Sequence, residues 1–482
     1  LPDPRTLRDL SRAVERIAAA IRDDEPILVH GDYDVDGICA AALLTRWIRR
    51  LGGRVEAFVP HRLRHGYDLG EGGLERAREC GARLLITVDC GIVAYDAVVR
   101  AREQGLDVIV TDHHLPGESL PAAQVIVNPN QPGCGFASKN LAGVGVIFYV
   151  MLALRRELRR RGRFDAGRGE PKLVDCLDLL ALGTVADVVP LDRNNRILVA
   201  AGLERIRRGL ACPGIRALLS VAGRDHGRCT ASDLGFTVGP RLNAAGRLED
   251  MATGIECLLC DDLERALELA ARLDGLNRER RGIERVMEAE ALQLLGALSV
   301  DREGAPLALA LYEPGWHQGV IGILAARIRE RVHRPVIAFA DAGDGALKGS
   351  ARSIPGIHLR DVLAAVDARH PRLIERFGGH AMAAGLTLRR EALDRFRDAL
   401  SAEMARVVDP SLLEPVLECD GPLGADDLCL ELACLLREAG PWGQHFPEPL
   451  FEGEAVEGEV FGGGVFGGGA VVETPQQLSG EL

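Results

Sequence analysis

Short apolar runs rich in β-branched residues alternate with helical stretches between residues 26 and 129. Five of these runs have the length and composition of buried strands, at residues 27–30, 55–60, 84–89, 108–111 and 125–127. Helical patterns lie between them, at residues 38–51, 74–80 and 94–104. This order predicts an α/β fold with a parallel, doubly wound sheet. Because such crossovers are right-handed, the carboxyl ends of the strands share one edge, where ligands usually bind.

The rest of the chain predicts further segments. Residues 141–208 are mainly helical, and residues 261–300 have the spacing of one or two long helices, with Gly275 and Gly282 as points of bending. A second set of strand patterns follows, at residues 307–311, 336–339 and 384–388. We therefore divide the chain into a first domain (1–260), a connecting helix (261–300), a smaller α/β domain (301–408), a further segment (409–450) and an acidic, Gly-rich tail (451–482).

Composition limits the function classes. Apolar residues make up 47% and charged residues 27%, which is typical of a globular protein. The net charge of −12 argues against a surface that coats duplex DNA, but not against nucleic acid held in a local cleft. The longest apolar stretch, residues 141–154, is shorter than the ~20 residues of a membrane span. Together with the absence of a leader and twelve scattered cysteines, this predicts a cytoplasmic protein with reduced thiols and no membrane contact.

Three acidic residues follow the first predicted strand, in the sequence His-Gly-Asp-Tyr-Asp-Val-Asp-Gly at residues 30–37. In an extended segment, Asp32, Asp34 and Asp36 would point the same way. Carboxylates on one side of a segment repel each other unless cations neutralise them. A polar turn that caps the next helix would need Asp36 alone, so the motif favours a cation site.

Acidic and imidazole groups recur at later strand ends. Asp89 ends the third predicted strand, and Asp112, His113 and His114 end the fourth. A fourth motif, residues 183–190, is otherwise apolar but contains the carboxylate of Asp187, which needs a partner or a metal there. We expect these groups to meet at one edge of the sheet.

This donor set predicts the metal and the reaction. Carboxylates with one or two imidazoles, and without cysteine, suit Mn²⁺ or Mg²⁺ better than zinc. Two such ions would support in-line displacement at phosphorus by water, with one activating the nucleophile and the other stabilising the leaving oxygen. Asp89 is the best placed candidate for a bridging carboxylate.

Phosphate groups also need cationic or N–H donors. Arg62 follows the second predicted strand at the same edge. Ser350 and Arg352, in the second domain, offer a hydroxyl beside a guanidinium, and we interpret residues 377–385 as a Gly-rich turn with exposed backbone N–H groups.

The ordered motifs resemble the DHH phosphoesterase superfamily and, within it, the RecJ family of bacterial single-strand-specific 5′→3′ DNA exonucleases. The resemblance covers residues ~27–450 and is carried by the segments 31–37, 87–91, 111–114, 183–190, 239–247, 315–322, 349–353 and 377–380. It implies a DHH catalytic domain joined by the long helix to a DHHA1 substrate-binding domain. It also implies release of 5′-mononucleotides, in recombination and repair, by a monomer that acts beside single-strand-binding protein and a RecQ-type helicase.

The resemblance assigns roles to individual residues. It implies that two Mn²⁺ or Mg²⁺ ions are bound by Asp34, Asp36, Asp89, His113 and Asp187, and that His114 contacts the metal site or a phosphate. Asp32 matches the motif but is not counted among the ligands. The substrate contacts that it implies are Arg62, Ser350, Arg352, His380, Arg241, Asn243 and Arg247, of which the last three lie near the domain junction.

The C-terminal part departs from the family pattern. Residues 440–443 (Gly-Pro-Trp-Gly) and 446–449 (Phe-Pro-Glu-Pro) resemble the approach to an OB-fold, but the tail is too short and too acidic for that domain. We therefore expect a truncated or absent OB-fold, with weaker DNA binding and lower processivity. The alternatives are a DHH phosphoesterase that acts on short oligonucleotides or another small phosphate ester, and a binding module without turnover.

Overall fold

A parallel five-stranded sheet forms the centre of the first domain. The computed structural model describes residues 1–61, 68–164, 169–298 and 306–452. The strands lie in the order β2-β1-β3-β4-β5, with β1 at Ile27–Gly31, β2 at Val55–Phe58, β3 at Leu84–Val88, β4 at Asp107–Thr111 and β5 at Val125–Val127. All four pairings are parallel, so the predicted α/β fold with a doubly wound sheet is confirmed.

Helices cover both faces of this sheet. The helices of the first domain are α1 (Leu10–Arg22), α2 (Val35–Arg50), α3 (Glu71–Glu79), α4 (Tyr95–Glu103), α5 (Gly143–Arg160), α6 (Leu177–Ala186), α7 (Arg193–Arg207), α8 (Pro213–Val221), α9 (Gly239–Leu248) and α10 (Ala252–Leu259). Alternate strand residues enter different cores, since Ile27 and Val29 pack with α1, α2 and α5, whereas Leu28 packs with α3 and α4. Burial on both faces explains the continuous apolar runs of the strands.

One helix, α11 (Leu263–Leu298), connects the two domains. Of the two patterns predicted for this region, the single continuous helix is the one observed. Apart from the neighbouring backbone of the helix itself, no atom of the described residues lies within 4 Å of the position that a Cβ would take at Gly275 or Gly282, so neither glycine is needed for close packing.

The second domain contains a mixed sheet in the order β6-β7-β8-β10-β9. Its strands are β6 (Leu309–Tyr312), β7 (Val336–Gly343), β8 (Ala346–Arg352), β9 (Arg376–Gly379) and β10 (Ala383–Arg389), and its helices are α12 (Ile321–Val332), α13 (Leu359–Arg369) and α14 (Leu393–Val407). The interpretation of 377–385 as a turn with exposed N–H groups is wrong in part. Residues 376–379 form an edge strand that pairs with β10, and the N–H of His380 donates to the carbonyl of Ala383.

The described chain divides into two compact units. The first comprises residues 1–415 and 441–446, and the second contains residues 416–440 and 447–452, with α15 at Leu430–Ala439. The predicted acidic tail falls almost wholly on residues 453–482, which lie outside the described residues. All twelve cysteines lie within the described ranges and are free thiols. Within those ranges, every helix is too short or too polar to cross a membrane.

Candidate metal centre

Three neighbouring strands deliver acidic or imidazole side chains to one edge of the parallel sheet. Asp32 directly follows β1, Asp89 follows β3, and Asp112, His113 and His114 follow β4. Except for Asp112, these residues form three groups with Asp34, Asp36 and Asp187, and within each group the ligand atoms lie within 4.8 Å of one another. The groups are Asp32–Asp34–Asp89, Asp36–His113–Asp187 and Asp89–His113–His114.

The Asp-x-Asp-x-Asp segment does not stay extended as predicted. Helix α2 starts at Val35, and Asp34 is its N-cap, with Oδ1 accepting a hydrogen bond from the N–H of Gly37 at 3.0 Å. Asp36 therefore lies in the first helical turn, in a different group from Asp32 and Asp34. Gly37 has to be glycine, because a Cβ there would lie 2.5 Å from the backbone oxygen of Asp32.

The start of helix α5 holds the Asp36 carboxylate. Its oxygens accept hydrogen bonds from the N–H groups of Gly143 (2.5 Å) and Val144 (3.0 Å). These are the unpaired amides of a helix N-terminus, which favours a negative charge. Sequence reasoning did not identify Gly143 or Val144, because they are separated from Asp36 by more than 100 positions.

Asp89 lies at the centre of the cluster in a left-handed backbone conformation. Its φ is +62°, which is rare for a residue other than glycine and is found often at functional sites. Its carboxylate is buried, with Oδ1 3.0 Å from Nε2 of His113. Among the described residues, no donor meets hydrogen-bond geometry with either carboxylate oxygen of Asp89. Gly143 leaves no room beside it, since a Cβ at that glycine would be 2.6 Å from the Asp89 Cβ.

The two histidines are held differently. Nε2 of His113 lies between the carboxylates of Asp89 (3.0 Å) and Asp187 (3.5 Å). His114 is fixed by Asp112, whose Oδ1 lies 2.8 Å from the His114 Nδ1 and also accepts from the N–H groups of both histidines. The other oxygen of Asp112 accepts from the N–H of Ile92 at 3.0 Å. Asp112 thus orients both histidines. It belongs to the predicted motif, but the motif alone did not indicate this role.

The site brings several buried carboxylates together with too little positive charge to neutralise them. Burial and mutual repulsion raise the pKa of Asp32, Asp89 and Asp187 well above the usual range, and that of Asp36 to about 7. Burial and the neighbouring His114 lower the pKa of His113 to about 4, so its imidazole is neutral and able to bind a cation. Burial alone would also lower the pKa of His114, but the Asp112 carboxylate raises it to about 9.

These observations fit divalent cations. The carboxylates of the cluster are buried, the Asp89 oxygens lack hydrogen-bond donors among the described residues and a neutral imidazole nitrogen faces them. Oxygen donors with one imidazole are the set preferred by Mn²⁺ and Mg²⁺, and the cluster contains no thiolate that would select zinc.

The predicted phosphate contacts of the second domain lie on β8 and beside β9. Nη1 of Arg352 donates to Oγ of Ser350 at 3.3 Å. Gly322 packs against both, since a Cβ there would lie 2.9 Å from the Ser350 Oγ. The pKa of His380 is lowered first by partial burial and then by the positive charge of His114.

The residues predicted at the domain junction separate into two sets. Asn243 and Arg247 line a cavity of about 200 Å³ together with Asp34. Arg241 is instead engaged elsewhere, because its guanidinium contacts Asp274 of α11 (2.9 Å) and the carbonyl of Thr237 (2.7 Å). Arg62 lies outside the described residues.

Comparisons with known proteins agree with this arrangement. Residues 26–184 match the DHH family N-terminal domain, and residues 305–406 match the DHHA1 domain. The chain is 54% identical, over 94% of its length, to the single-stranded-DNA-specific exonuclease RecJ of Dickeya dadantii, and covers 79% of that protein. It is 53% identical, over 93% of its length, to the Escherichia coli protein of the same name, and covers 78% of it.

Two solved structures extend the comparison. RecJ from Thermus thermophilus in complex with Mn²⁺ superposes on 92% of this chain with a TM-score of 0.77 and 33% identity, and the chain spans 61% of that protein. A structure of exonuclease RecJ bound to manganese matches 84% of this chain with a TM-score of 0.70 and 35% identity, and 96% of that structure is covered.

Proposed function

Because the chain belongs to the RecJ family of DHH phosphoesterases, we propose that it is a metal-dependent exonuclease that hydrolyses single-stranded DNA. The observation that carries this function is the convergence of Asp34, Asp36, Asp89 and His113, which follow adjacent strands, with Asp187 from the end of α6. The products are 5′-mononucleotides, and digestion starts at the 5′ end, as the family resemblance implies.

These five residues would hold two Mn²⁺ or Mg²⁺ ions, and Asp89, which belongs to two of the three groups, would be the carboxylate that serves both. Bound ions of this kind lower the pKa of a water nucleophile and neutralise charge on the phosphate. The protein contributes the geometry. The amides of Gly143 and Val144 fix the Asp36 carboxylate, and the neutral His113 directs Nε2 at Asp89.

His114 has a different task from its neighbour. Its hydrogen bond with Asp112 keeps the ring protonated near neutral pH, with a pKa of about 9. A charged imidazole beside a carboxylate cluster is better suited to a substrate phosphate than to a cation. We therefore assign His114 to the phosphate that is being cleaved.

The second domain binds the DNA strand. Ser350, Arg352 and His380 bind phosphates of the substrate, together with Arg62 of the first domain. Asn243 and Arg247, which line the cavity beside Asp34, contact the terminal nucleotide. Arg241 forms an ion pair with Asp274 and stabilises the domain junction instead of contacting DNA. From the family resemblance we expect the cleft between the two domains to admit one DNA strand and to exclude a duplex.

The test uses single-stranded DNA labelled at either end, with Mn²⁺ or with EDTA. We expect mononucleotides to be released from the 5′ end only with metal, and Asp89→Ala to abolish release. Asp394→Asn is the matched control, because that carboxylate is 89% exposed and far from the cluster in sequence. Cleavage of di- or trinucleotides without cleavage of long strands would instead indicate a short-oligonucleotide phosphoesterase, and DNA binding without turnover would indicate a binding module.

The cellular setting follows from the same proposal. An exonuclease of this type acts in recombination and repair, in the cytoplasm, as a monomer. Single-strand-binding protein and a RecQ-type helicase are the partners that we expect, since one covers the single-stranded substrate and the other produces it. Pull-down with each purified partner tests this part separately from catalysis.

A further inference from the structure

A short segment near the C-terminal end of the described chain packs against the first domain. Residues 441–446 belong to the same compact unit as the candidate metal centre, although more than 250 positions separate them from Asp187, the last of its proposed ligands in the sequence. The Phe446 ring lies between two groups. The Arg196 guanidinium, on α7, is 3.6 Å above its centroid, and the Trp442 ring is stacked at 5.1 Å with an interplanar angle of 13°.

The backbone of this segment makes a second contact. Gly443 and Phe446 exchange hydrogen bonds of 2.8 and 3.0 Å, which close a tight turn. At the tip of the turn, the carbonyl of Gln444 accepts a hydrogen bond from the N–H of Leu191 at 2.8 Å. A Cβ at Gly443 would lie 2.7 Å from the Leu191 Cδ1, so a side chain there would displace the buried side chain of Leu191. We call residues 441–446 the clasp.

The clasp holds the end of the segment that carries Asp187. This segment leaves α6 at Asp187 and passes through Val188, which is 62% exposed and has a φ of +60°. A left-handed conformation is costly for a β-branched residue and persists only where the surroundings impose it. The next residues are fixed from the other side, because Asn195 of α7 donates to the carbonyl of Pro190 at 3.0 Å.

We propose that the clasp is a positioning element for the metal ligand Asp187, acting through Leu191 and Arg196. The proposal rests on the proposed function, in which Asp187 binds a cation. With the clasp in place, the strained segment is held so that the Asp187 carboxylate faces Nε2 of His113 at 3.5 Å. Without it, Val188 relaxes, Asp187 moves away from His113 and part of the cation binding energy is lost in reordering the segment.

The test measures Mn²⁺ binding directly, by electron paramagnetic resonance of free Mn²⁺ titrated with the full chain. Phe446→Ala removes the stack, and Gly443→Ala pushes against Leu191 while the stack remains. Since groups that orient metal ligands typically contribute about 10–100-fold to metal affinity, we expect both variants to weaken it by about tenfold. Phe446→Tyr keeps the ring and should restore the affinity. Leu435→Ala, which removes a side chain from a residue that is 62% exposed in the preceding helix, should leave the affinity unchanged.

Two results separate the clasp from the proposed function. If the unaltered chain binds Mn²⁺ and Asp187→Asn weakens binding, but Phe446→Ala and Gly443→Ala do not, the clasp proposal is overturned. If the unaltered chain does not bind Mn²⁺, the proposed function fails first. If Phe446→Ala unfolds the chain, Gly443→Ala and Phe446→Tyr still decide the matter, because unchanged affinity in Gly443→Ala would contradict the proposal.

Discussion

Arg247, in the last turn of α9, donates a hydrogen bond from Nη1 to the carbonyl oxygen of Gly319 at 2.9 Å. The first residue belongs to the catalytic domain and the second to the loop before α12 in the DHHA1 domain. Gly319 has to lack a side chain, because a Cβ there would be 2.6 Å from the Arg247 carbonyl oxygen. A direct contact therefore joins the parts of the chain that carry the two proposed groups of substrate contacts.

Arg247→Ala is expected to raise the KM for single-stranded DNA by about tenfold with little change in kcat, because a hydrogen bond from a charged donor contributes roughly 1.5–3 kcal/mol. Steady-state kinetics on a 5′-labelled strand measure both constants. Arg272→Ala is the control, since it removes an arginine that is 60% exposed and pairs with Glu249 at the surface. A fall in kcat at unchanged KM would mean that Arg247 acts in the chemical step instead.

Gly143→Ala is expected to reduce kcat more than 100-fold. The new Cβ would lie 2.6 Å from the Asp89 Cβ and 2.8 Å from its Oδ1, so the proposed bridging carboxylate must move. Gly275→Ala is the matched control, because it adds the same methyl group where no described atom outside the helix's own neighbouring backbone lies within 4 Å, and alanine there favours the helix. Equal activity of the two variants would show that Asp89 does not need its present position.

How much of this site the sequence predicts depends on how far apart along the chain the contacting residues lie. The strands were predictable because β-branched runs such as 84–88 are buried on both faces, and their acidic ends then had to meet at one edge. The bend at Val35, which separates Asp36 from Asp34, was not predictable from a motif that satisfies both strand and helix-cap patterns. The amides of Gly143 and Val144, which fix Asp36, were missed because only the folded chain brings them together.

In the second domain the sequence prediction fails at one strand, because a long-range pairing outweighs the local preference of its residues. Strand β9 contains Gly378 and Gly379. Because glycine has a low strand propensity, the sequence pattern predicts a turn there. Its pairing with β10 places Gly378 opposite Gly385, and this long-range register overrides the local preference. The assignment of metal and phosphate contacts to individual residues stays a prediction until the variants are measured.

The metal-free protein is expected to become more stable as the pH falls. In its folded state the pKa of Asp36 is raised from 3.8 to about 7, and those of Asp32, Asp89 and Asp187 are raised in the same direction. A carboxyl group with a raised folded-state pKa favours folding below the unfolded value, and this contribution is lost as the pH rises through the folded value. The loss for Asp36 therefore falls between about pH 4 and 7.

Bound metal removes this penalty, so the difference in Tm between Mn²⁺-loaded and EDTA-treated protein should be larger at pH 8 than at pH 5.5. Differential scanning calorimetry at both pH values measures it, with shifts of about 2–4 °C per kcal/mol for domains of this size. Asp36→Asn should flatten the pH dependence of the EDTA-treated protein. A difference in Tm that grows toward low pH would contradict the prediction.

Arg241→Ala is expected to lower stability without changing the KM for DNA. Arg241 and Asp274 form a pair whose side chains are 12% and 14% exposed, and Nη2 and Oδ1 are 2.9 Å apart. Removing one partner of a buried pair costs on the order of 3 kcal/mol, because the other charge remains in a poorly solvated place. The Asp274→Ala variant should lose a similar amount, and the double variant less than the sum, since the pair has one shared interaction. Thermal unfolding of the three variants gives these values, and Arg278, which also reaches Asp274 at 3.1 Å, limits the loss. A rise in KM without loss of stability would instead assign Arg241 to the substrate, as the family resemblance first implied.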